Sequence, residues 1–175
     1  MKLTETPLKD CYIIETRVFG DDRGFFTETY NEKLFKEHGL PANWVQDNWS
    51  HSNKGVLRGM HFQKGEHAQD KLVRVIRGAV YDAVVDIRPD SPTYGHSYGL
   101  ELSAENKLAL YVPAGFAHGF QVLQDGTDFM YKCSKLYAPE HEGGYMWNDP
   151  AFKIDWPLRQ GLQLSAKDEV FPKFA

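Results

Sequence analysis

The residues between positions 46 and 71 form the densest set of side chains that could do chemistry. Gln46-Asp47-Asn48 comes first, and Arg58, His61 and Lys71 follow it. An imidazole ordinarily titrates near pH ~6.5, so a histidine can take up or release a proton near neutrality. Arginine and lysine can bind an anion or stabilise developing negative charge. The segment therefore has the side chains for acid–base catalysis and for holding an anionic ligand.

The placement of Arg58 and His61 depends on the local strand geometry. If residues 56–62 form a regular strand, alternation puts the two side chains on opposite faces. Gly55 and Gly59 allow a β-bulge, which would re-aim one of them. Without a bulge, the pair is more typical of a surface arginine and a hydrogen-bonded core histidine.

A second histidine, His118, lies at a proline–glycine turn before an apolar strand, where a site residue and a capping residue are equally plausible. Small metal-binding β-barrels take ligands from two such separated segments, with a typical His-x-His pair in the first. Gln63 occupies the second of those positions, and neutral amides are poor ligands for zinc or ferrous iron. Glu66 and His67 could compensate. A metal site stays open on the residues alone, although we expect none.

Several function classes are disfavoured by composition and by missing motifs. The 175 residues carry a net charge of -4 without a basic block, which argues against nucleic-acid binding. GxGxxG, GxxxxGK[ST] and HExxH are all missing. The N-terminus has no apolar core of a signal peptide, and no apolar run approaches ~18 residues. With two distant cysteines, Cys11 and Cys133, we expect a cytoplasmic protein with reduced thiols and no membrane contact.

Short strands separated by turns dominate the rest of the pattern. We predict strands at 71–77 and 79–87, joined at Gly78 by a tight hairpin or bend, and further strands at 97–102, 108–112, 119–123 and 129–137. A turn is expected at 90–93. One helix is predicted over 31–38, capped by Asn31 and stopped by Gly39 and Pro41. The tail, 153–175, is expected to pack over the β core through a short final helix. The pattern predicts one all-β domain, 1–175, built as a sandwich or barrel.

A series of motifs resembles the dTDP-4-dehydrorhamnose 3,5-epimerase family over nearly the whole chain. The motifs are, in order, DRGFFxE (22–28), QDNxS (46–50), GVLRGxHxQ (55–63), DxxVDIR (82–88), SPTYG (91–95), PxGFxHGF (113–120), YK (131–132) with a tyrosine at 137, WNDP (147–150) and IxWP (154–157). The resemblance implies a cupin-like jelly roll, also called a double-stranded β-helix, with a few short helices. It also implies a homodimer without metal or other cofactor. The implied substrate is dTDP-4-dehydro-6-deoxy-D-glucose, epimerised at C3 and C5 for bacterial surface polysaccharide.

The resemblance assigns roles to individual residues. His61 matches the base, Tyr131 the proton donor, and Asp168 the carboxylate that orients the base. We expect Lys71 to meet the negative charge that develops on the C4 oxygen. Substrate contacts are implied at Arg23, Glu28, Gln46, Asp47, Asn48, Arg58, Lys71, His118, Glu142 and Lys167. Asp168 can act only if the tail folds back against the strand that carries His61.

Three alternatives remain beside this expectation. A related enzyme could epimerise one centre only or isomerise the keto group of the same class of dTDP-linked 4-keto-6-deoxy sugar. A non-catalytic cupin could bind the sugar nucleotide, although binding alone needs neither a base nor a proton donor. A metal-dependent cupin oxygenase is the third. Both centres flank the C4 ketone, so the expected chemistry is redox-neutral, in agreement with the missing dinucleotide motif.

Overall fold

The computed structural model describes residues 1–174, which form thirteen strands, one α-helix and two short 3₁₀ helices. The elements are β1 (Lys2–Glu5), β2 (Tyr12–Glu15), β3 (Val18–Asp21), β4 (Gly24–Thr27), α1 (Glu32–Glu37), β5 (Gln46–Ser52), β6 (Leu57–Gln63), β7 (Lys71–Arg77), β8 (Ala79–Asp86), β9 (Ser97–Ser103), β10 (Ala109–Val112), β11 (Phe116–Val122), β12 (Thr127–Cys133) and β13 (Glu142–Gly144). The 3₁₀ turns cover Gly65–His67 and Pro139–His141. The all-β prediction is confirmed.

Two antiparallel sheets build the body of the molecule. The larger sheet has six strands in the order β1-β2-β10-β7-β12-β5, and the smaller has five in the order β13-β6-β11-β8-β9. Consecutive strands often lie in different sheets, as β5 and β6 do, so the chain repeatedly crosses from one sheet to the other. A third unit, the hairpin β3–β4, pairs only with itself.

The principal core lies between the two sheets. Val73 and Val75 of β7 and Phe129 of β12 meet Val80 and Val84 of β8 there, all nearly inaccessible to solvent. Alternation along each strand sends these side chains inward because successive residues of a strand point to opposite faces. A separate apolar cluster forms where Phe35 of α1 packs on the outer face of the larger sheet. The sheets are thus rigidly packed against each other, which fixes the side chains that line the space between them.

Gly78 turns the chain from β7 into β8. The sequence left a hairpin or a bend open, and the structure has a bend, because β7 and β8 belong to different sheets. Gly78 has a φ of 77°, and a Cβ at this position would stand 2.2 Å from Thr127 Oγ1. Only glycine fits both the conformation and the space.

Most of the predicted elements agree with the structure, and two do not. The helix with its Asn31 cap, the 90–93 turn and the strands near 71–77, 79–87, 97–102 and 108–112 are confirmed. The strand predicted at 129–137 ends at Cys133, because residues 134–138 turn away from the sheet. The final helix is wrong: residues 153–174 contain turns and extended chain without a helix. The strands before residue 30 and β5 were not predicted.

The C-terminal segment nevertheless packs on the β core as expected. Its backbone follows the start of β6, where Gln163 N donates to Gly55 O and Leu57 N to Gln163 O. The buried Gln121 side chain binds both the N–H and the carbonyl of Leu158. These bonds satisfy backbone groups that a helix would otherwise satisfy internally. No helix in residues 1–174 is long and apolar enough to cross a membrane.

Candidate active site

A cavity of about 660 Å³ lies between the two sheets and receives side chains from both. The larger sheet contributes β5, β7 and β12, the smaller contributes β6 and β11, and the segment 163–168 closes one side. Ten of the residues predicted as site residues line it: Gln46, Asn48, Arg58, His61, Lys71, His118, Tyr131, Glu142, Lys167 and Asp168. Residues up to 122 positions apart in the sequence thus converge on one space.

A β-bulge in β6 brings Arg58 and His61 to the same side of the strand. His61 pairs with His118 of β11, whereas Arg58 pairs with Phe120, so three steps on β6 match two on β11. The extra residue reverses the alternation between Arg58 and His61, and both side chains line the cavity. Gly59 lies within the bulge at a φ of 139°, and a Cβ there would meet the Gly119 backbone at 2.5 Å. Glycine is therefore required where the two strands approach.

His61 and Asp168 form a hydrogen-bonded pair at the cavity wall. His61 Nε2 lies 2.5 Å from Asp168 Oδ1, and the His61 side chain is 24% exposed while that of Asp168 is 3% exposed. The second carboxylate oxygen of Asp168 accepts a hydrogen bond from Ser165 Oγ at 2.8 Å. Burial opposes ionisation of Asp168, but the hydrogen bonds from His61 and Ser165 outweigh it, so its pKa lies below the ordinary value. Asp168 is accordingly a carboxylate that holds the imidazole.

The C-terminal segment delivers Asp168 without regular secondary structure. Ser165 and Asp168 close a turn, in which Asp168 N donates to Ser165 O. Beyond it, Met146 N donates to Pro172 O and Phe174 N donates to Asp149 Oδ2, which anchors the segment. The tail therefore folds back against β6, the arrangement that the role of Asp168 requires.

A second histidine–aspartate pair lies next to the first. His118 faces His61 across the β11–β6 pairing, and its Nε2 lies 2.9 Å and 3.1 Å from the two oxygens of Asp82 on β8. This pair is more deeply buried, with the side chains 7% and 0% exposed. His118 still reaches the cavity lining.

Lys71 of β7 and Tyr131 of β12 lie on neighbouring strands of the larger sheet, and both side chains line the cavity. Removal from water lowers the pKa of Lys71, and the acidic groups of Cys133, Asp82 and Glu142 oppose this effect. No ion pair or side-chain hydrogen bond within residues 1–174 engages the Lys71 ammonium. Burial raises the pKa of Tyr131, so its phenol keeps its proton near neutrality. The cavity thus holds a lysine amino group without a side-chain partner in residues 1–174 and a protonated phenol.

The remaining charged side chains of the cavity are held by neighbours. Arg58 Nη2 donates to Ser52 Oγ at 3.0 Å, and Lys167 Nζ donates to Glu142 Oε1 at 2.6 Å. On β5, Gln46 Nε2 donates to Asn48 Oδ1 at 3.0 Å. These contacts orient polar groups toward the cavity without neutralising Arg58.

Three predicted site residues lie outside this cavity. Asp47 points to the opposite face of β5, where it forms an ion pair with Lys132 at 2.9 Å. Arg23, in the turn of the β3–β4 hairpin, has a side chain 90% exposed and pairs with Asp21. Glu28 follows β4 and accepts a hydrogen bond from Asn31 Nδ2 at 2.9 Å. The single chain does not bring Arg23 and Glu28 to the cavity.

Several lining residues were given no role from the sequence. Tyr137, Cys133 and Ser165 all line the cavity. Cys133 could have been found, since it lies two residues after Tyr131 on the same face of β12. Ser165 could have been found as the first residue of a Ser-x-x-Asp turn. Tyr137 was missed because residues 129–137 were predicted to form one strand, whereas Tyr137 lies in the loop after β12.

Metal-ligating side chains do not cluster in this cavity. Within the described range 1–174, no three His, Cys, Asp or Glu side chains are grouped so that they could hold a metal ion. His67, one of the residues considered as a further ligand, instead stacks its ring on His141 at a centroid distance of 3.9 Å.

Comparison with known proteins identifies the family. The sequence profile described as dTDP-4-dehydrorhamnose 3,5-epimerase matches residues 5–175. A relative from Escherichia coli (strain K12) with the name dTDP-4-dehydrorhamnose 3,5-epimerase is 55% identical over 171 residues, 97% of this chain and 92% of the relative. The chain belongs to the dTDP-4-dehydrorhamnose 3,5-epimerase family.

Solved structures of this epimerase family have the same fold. The enzyme from Elizabethkingia anophelis superposes with a TM-score of 0.96 at 56% identity, covering 99% of this chain and 96% of that one. A dTDP-6-deoxy-D-glucose-3,5-epimerase from Legionella pneumophila, in complex with dTDP-4-keto-L-rhamnose, gives 0.92 at 44% identity, covering 99% and 98%. The predicted cupin-like jelly roll is confirmed.

Proposed function

We propose that this chain is a dTDP-4-dehydrorhamnose 3,5-epimerase. It converts dTDP-4-dehydro-6-deoxy-D-glucose to dTDP-4-dehydro-L-rhamnose, a step in dTDP-L-rhamnose biosynthesis, and residues 1–175 act as one epimerase domain. The observation that carries the proposal is the His61–Asp168 pair, joined at 2.5 Å in the cavity of an epimerase-family fold. A protein that only bound a nucleotide sugar would not need a carboxylate-oriented base there.

His61 is the base in this mechanism. Because Asp168 is ionised, it accepts the hydrogen bond, so Nε2 of His61 carries the proton and the lone pair of Nδ1 is left for the substrate. The C–H bond next to the C4 ketone breaks, its proton goes to His61, and its electron pair moves to the C4 oxygen as an enolate. Asp168 then stabilises the imidazolium that has formed.

Lys71 stabilises the enolate oxygen. A carbon acid next to a ketone is far weaker than an imidazolium, so a preorganised charge at the oxygen is needed. Lys71 lines the cavity, and its protonated amino group supplies that charge. Loss of one such oxyanion donor typically costs about 10²–10³ in kcat.

Tyr131 returns a proton to the opposite face of the sugar ring. Its raised pKa keeps the phenol protonated until the enolate forms. The proton moves from the phenol oxygen to the ring carbon, the C4 carbonyl re-forms, and the phenolate and the imidazolium are reset by exchange with water. Repetition at the second centre inverts both C3 and C5 without a redox cofactor.

The cations and amides of the cavity hold the rest of the substrate. Arg58 and Lys167 offer charge to a diphosphate, and Arg58 can do so with two parallel N–H groups. Gln46, Asn48 and His118 also line the cavity, where they present polar groups to the dTDP-sugar. Glu142 completes this set through its contact with Lys167.

The active form in this proposal is a homodimer in which the β3–β4 hairpin of one protomer reaches the cavity of the other. Arg23 and Glu28 are expected to contact substrate, yet both lie outside the cavity of their own chain. The hairpin also exposes Phe25 and Phe26, which are 62% and 67% accessible. Exposed apolar patches of this kind mark interaction surfaces. A second copy is the partner that would use both the apolar side chains and Arg23.

Mixing two inactive variants tests this arrangement. An Arg23→Ala protomer has an intact cavity but a defective hairpin. A His61→Ala protomer has an intact hairpin but a cavity without its base. If the hairpin acts in trans, co-refolding them restores sites with both parts intact. Activity that stays at the level of the separate variants would show that Arg23 does not serve a partner's cavity.

We also propose that the enzyme is cytoplasmic and needs no metal. Cys11 and Cys133 are both free and buried, in keeping with a reducing compartment. Gln63 occupies the position at which such a metal site typically has its second histidine ligand. We expect activity to survive exhaustive chelation, with no stoichiometric iron or zinc in the purified protein.

Product analysis tests the function as a whole. The protein is incubated with dTDP-4-dehydro-6-deoxy-D-glucose, the product is reduced by a coupled ketoreductase, and its stereochemistry is determined by NMR. Inversion at C3 and C5 is expected. Inversion at one centre would identify a monoepimerase, no inversion would identify a binding protein, and dependence on added metal would refute the acid–base mechanism.

A further inference from the structure

The side chain of Gln63 makes three hydrogen bonds that join two loops at the cavity. Its Nε2 donates to His67 O at 2.8 Å and to Leu136 O at 3.3 Å, and its Oε1 accepts from Ala138 N at 2.7 Å. The residue is 7% exposed, so water competes little with these bonds. None of the three goes to His61, Asp168, Tyr131 or Lys71.

The loop that Gln63 holds forms one wall of the cavity. Residues 134–141, here called the wall loop, connect β12 to β13 and place Tyr137 in the cavity lining. Apolar burial does not fix this loop, because Leu136 and Tyr137 are 65% and 53% exposed. Its position therefore depends on hydrogen bonds, and Gln63 makes two of them, to Leu136 O and Ala138 N, from a side chain that is 7% exposed.

The residue type matches this task. The position needs two donors and one acceptor, which a primary amide supplies and a carboxylate does not. A carboxylate would lose both donors and face the carbonyl oxygens of His67 and Leu136. An apolar side chain would leave three backbone groups without a partner.

We propose that Gln63 is a positioning residue that sets the affinity for the nucleotide sugar by holding the wall loop, while leaving the chemical step to His61 and Tyr131. The proposal deepens the proposed function and rests on it for the identity of the ligand. It predicts a change in KM and in the Kd for dTDP, with little change in kcat. Binding of dTDP can be measured whether or not the protein turns over, so failure of the epimerase assignment would be seen separately.

The test compares Gln63→Glu with Gln69→Glu. Gln69 is the matched control for added charge and for a single exposed bond to the wall loop, because its Nε2 donates only to Lys135 O, at 2.8 Å and exposed to solvent. We expect KM and the dTDP Kd to rise about tenfold or more in Gln63→Glu, since two hydrogen bonds are lost. The control should change either constant by no more than about threefold, and kcat should stay within about threefold in both variants.

Acidification gives a second readout. A carboxyl group at position 63, buried against carbonyl oxygens, has a raised pKa and regains one donor when protonated. The ratio of the Gln63→Glu Kd to the parent Kd for dTDP, measured by calorimetry, should therefore fall between pH 7.5 and pH 5.5. If Gln63→Glu does not fold, Gln63→Met carries no charge and should weaken dTDP binding in the same direction.

Three outcomes would overturn the proposal. Equal changes in Gln63→Glu and Gln69→Glu would show that the buried bonds of Gln63 contribute nothing beyond the added charge and the loss of one exposed loop bond. A fall in kcat with unchanged affinity would place Gln63 in the chemical step. A dTDP affinity that Gln63→Met leaves at the parent value would show that the wall loop does not depend on this side chain.

Discussion

The two histidine–aspartate pairs of the cavity differ in how they are built. His118 and Asp82 lie on adjacent strands of one sheet, and both side chains are almost fully buried. His61 lies on a strand, but its partner Asp168 comes from the irregular C-terminal segment, and His61 is 24% exposed. The sheet-built pair is closed, whereas the pair that joins a strand to the tail keeps one side of the imidazole accessible.

This difference suggests a division of labour. A base must meet substrate and then exchange its proton with water, which suits the more open His61. A buried pair such as His118–Asp82 has a fixed geometry and suits ligand orientation.

The largest expected effect comes from replacing the open histidine. His61→Gln removes the base but keeps a donor for Asp168, and we expect turnover in the coupled ketoreductase assay to be abolished. The matched His118→Gln also keeps a donor for its carboxylate, and it should retain measurable turnover with a raised KM. The reverse result, with His118→Gln inactive and His61→Gln active, would exchange the roles of the two pairs.

Tyr131→Phe tests whether Tyr131 or the buried His118–Asp82 pair donates the proton to the opposite face of the sugar ring. The substitution removes one hydroxyl and keeps the ring, so fold and affinity should change little. Net inversion should fall by roughly 10²–10⁴, the usual range for a positioned acid. Exchange with solvent can persist, because His61 can return a proton to the face from which it came. Inversion near the parent rate would exclude Tyr131 as the donor and would favour His118.

The two carboxylates should differ in what their loss costs. Asp168→Asn leaves the imidazole in place but disturbs its tautomer, so kcat should fall toward the lower end of the ~10²–10⁴ range, less than on loss of His61. Asp82→Asn weakens a buried pair, so its main cost should be stability, about 1–3 kcal/mol and several degrees in Tm. Kinetics and thermal unfolding of both variants make the comparison. A larger kcat loss in Asp82→Asn than in Asp168→Asn would contradict it.

The smallest effect is a pH dependence of stability at the open pair. The folded-state pKa of Asp168 lies below its ordinary value of 3.8. The ionised carboxylate therefore stabilises the native state above pH 3.8, and this stabilisation is lost as the pH falls through the folded-state pKa. The difference in the free energy of unfolding between parent and Asp168→Asn should be constant above pH ~5 and shrink below pH ~4. Urea unfolding across this range measures it. A difference that grows on acidification would mean that burial, which raises the pKa, outweighs the hydrogen bonds.

The sequence was most informative where a local rule applies. Asn31 predicts the start of α1 because its side chain accepts from Leu34 N, and apolar strand patterns predict the core around Val73 and Val84. His61 and Tyr131 were found through family motifs rather than through geometry. Regular alternation would have separated Arg58 from His61, and only the pairing with β11 fixes the bulge that unites them.

Non-local contacts account for the errors. The tail lacks the predicted helix because its backbone groups bind the start of β6 and the Gln121 side chain. β12 ends at Cys133 because Gln46 and Gln63 bind the backbone of the loop that follows. Such partners lie dozens of residues away, and no local pattern specifies them.

The most direct test of a single base is deuterium wash-in followed by proton NMR in deuterated water. The parent protein and His61→Gln are each incubated with dTDP-4-dehydro-6-deoxy-D-glucose, and exchange is followed separately at C3 and C5. We expect the parent to exchange both positions and His61→Gln to exchange neither, while it still binds dTDP. Continued exchange at either carbon in His61→Gln would require a second base and would contradict the assignment of both proton abstractions to the His61–Asp168 pair.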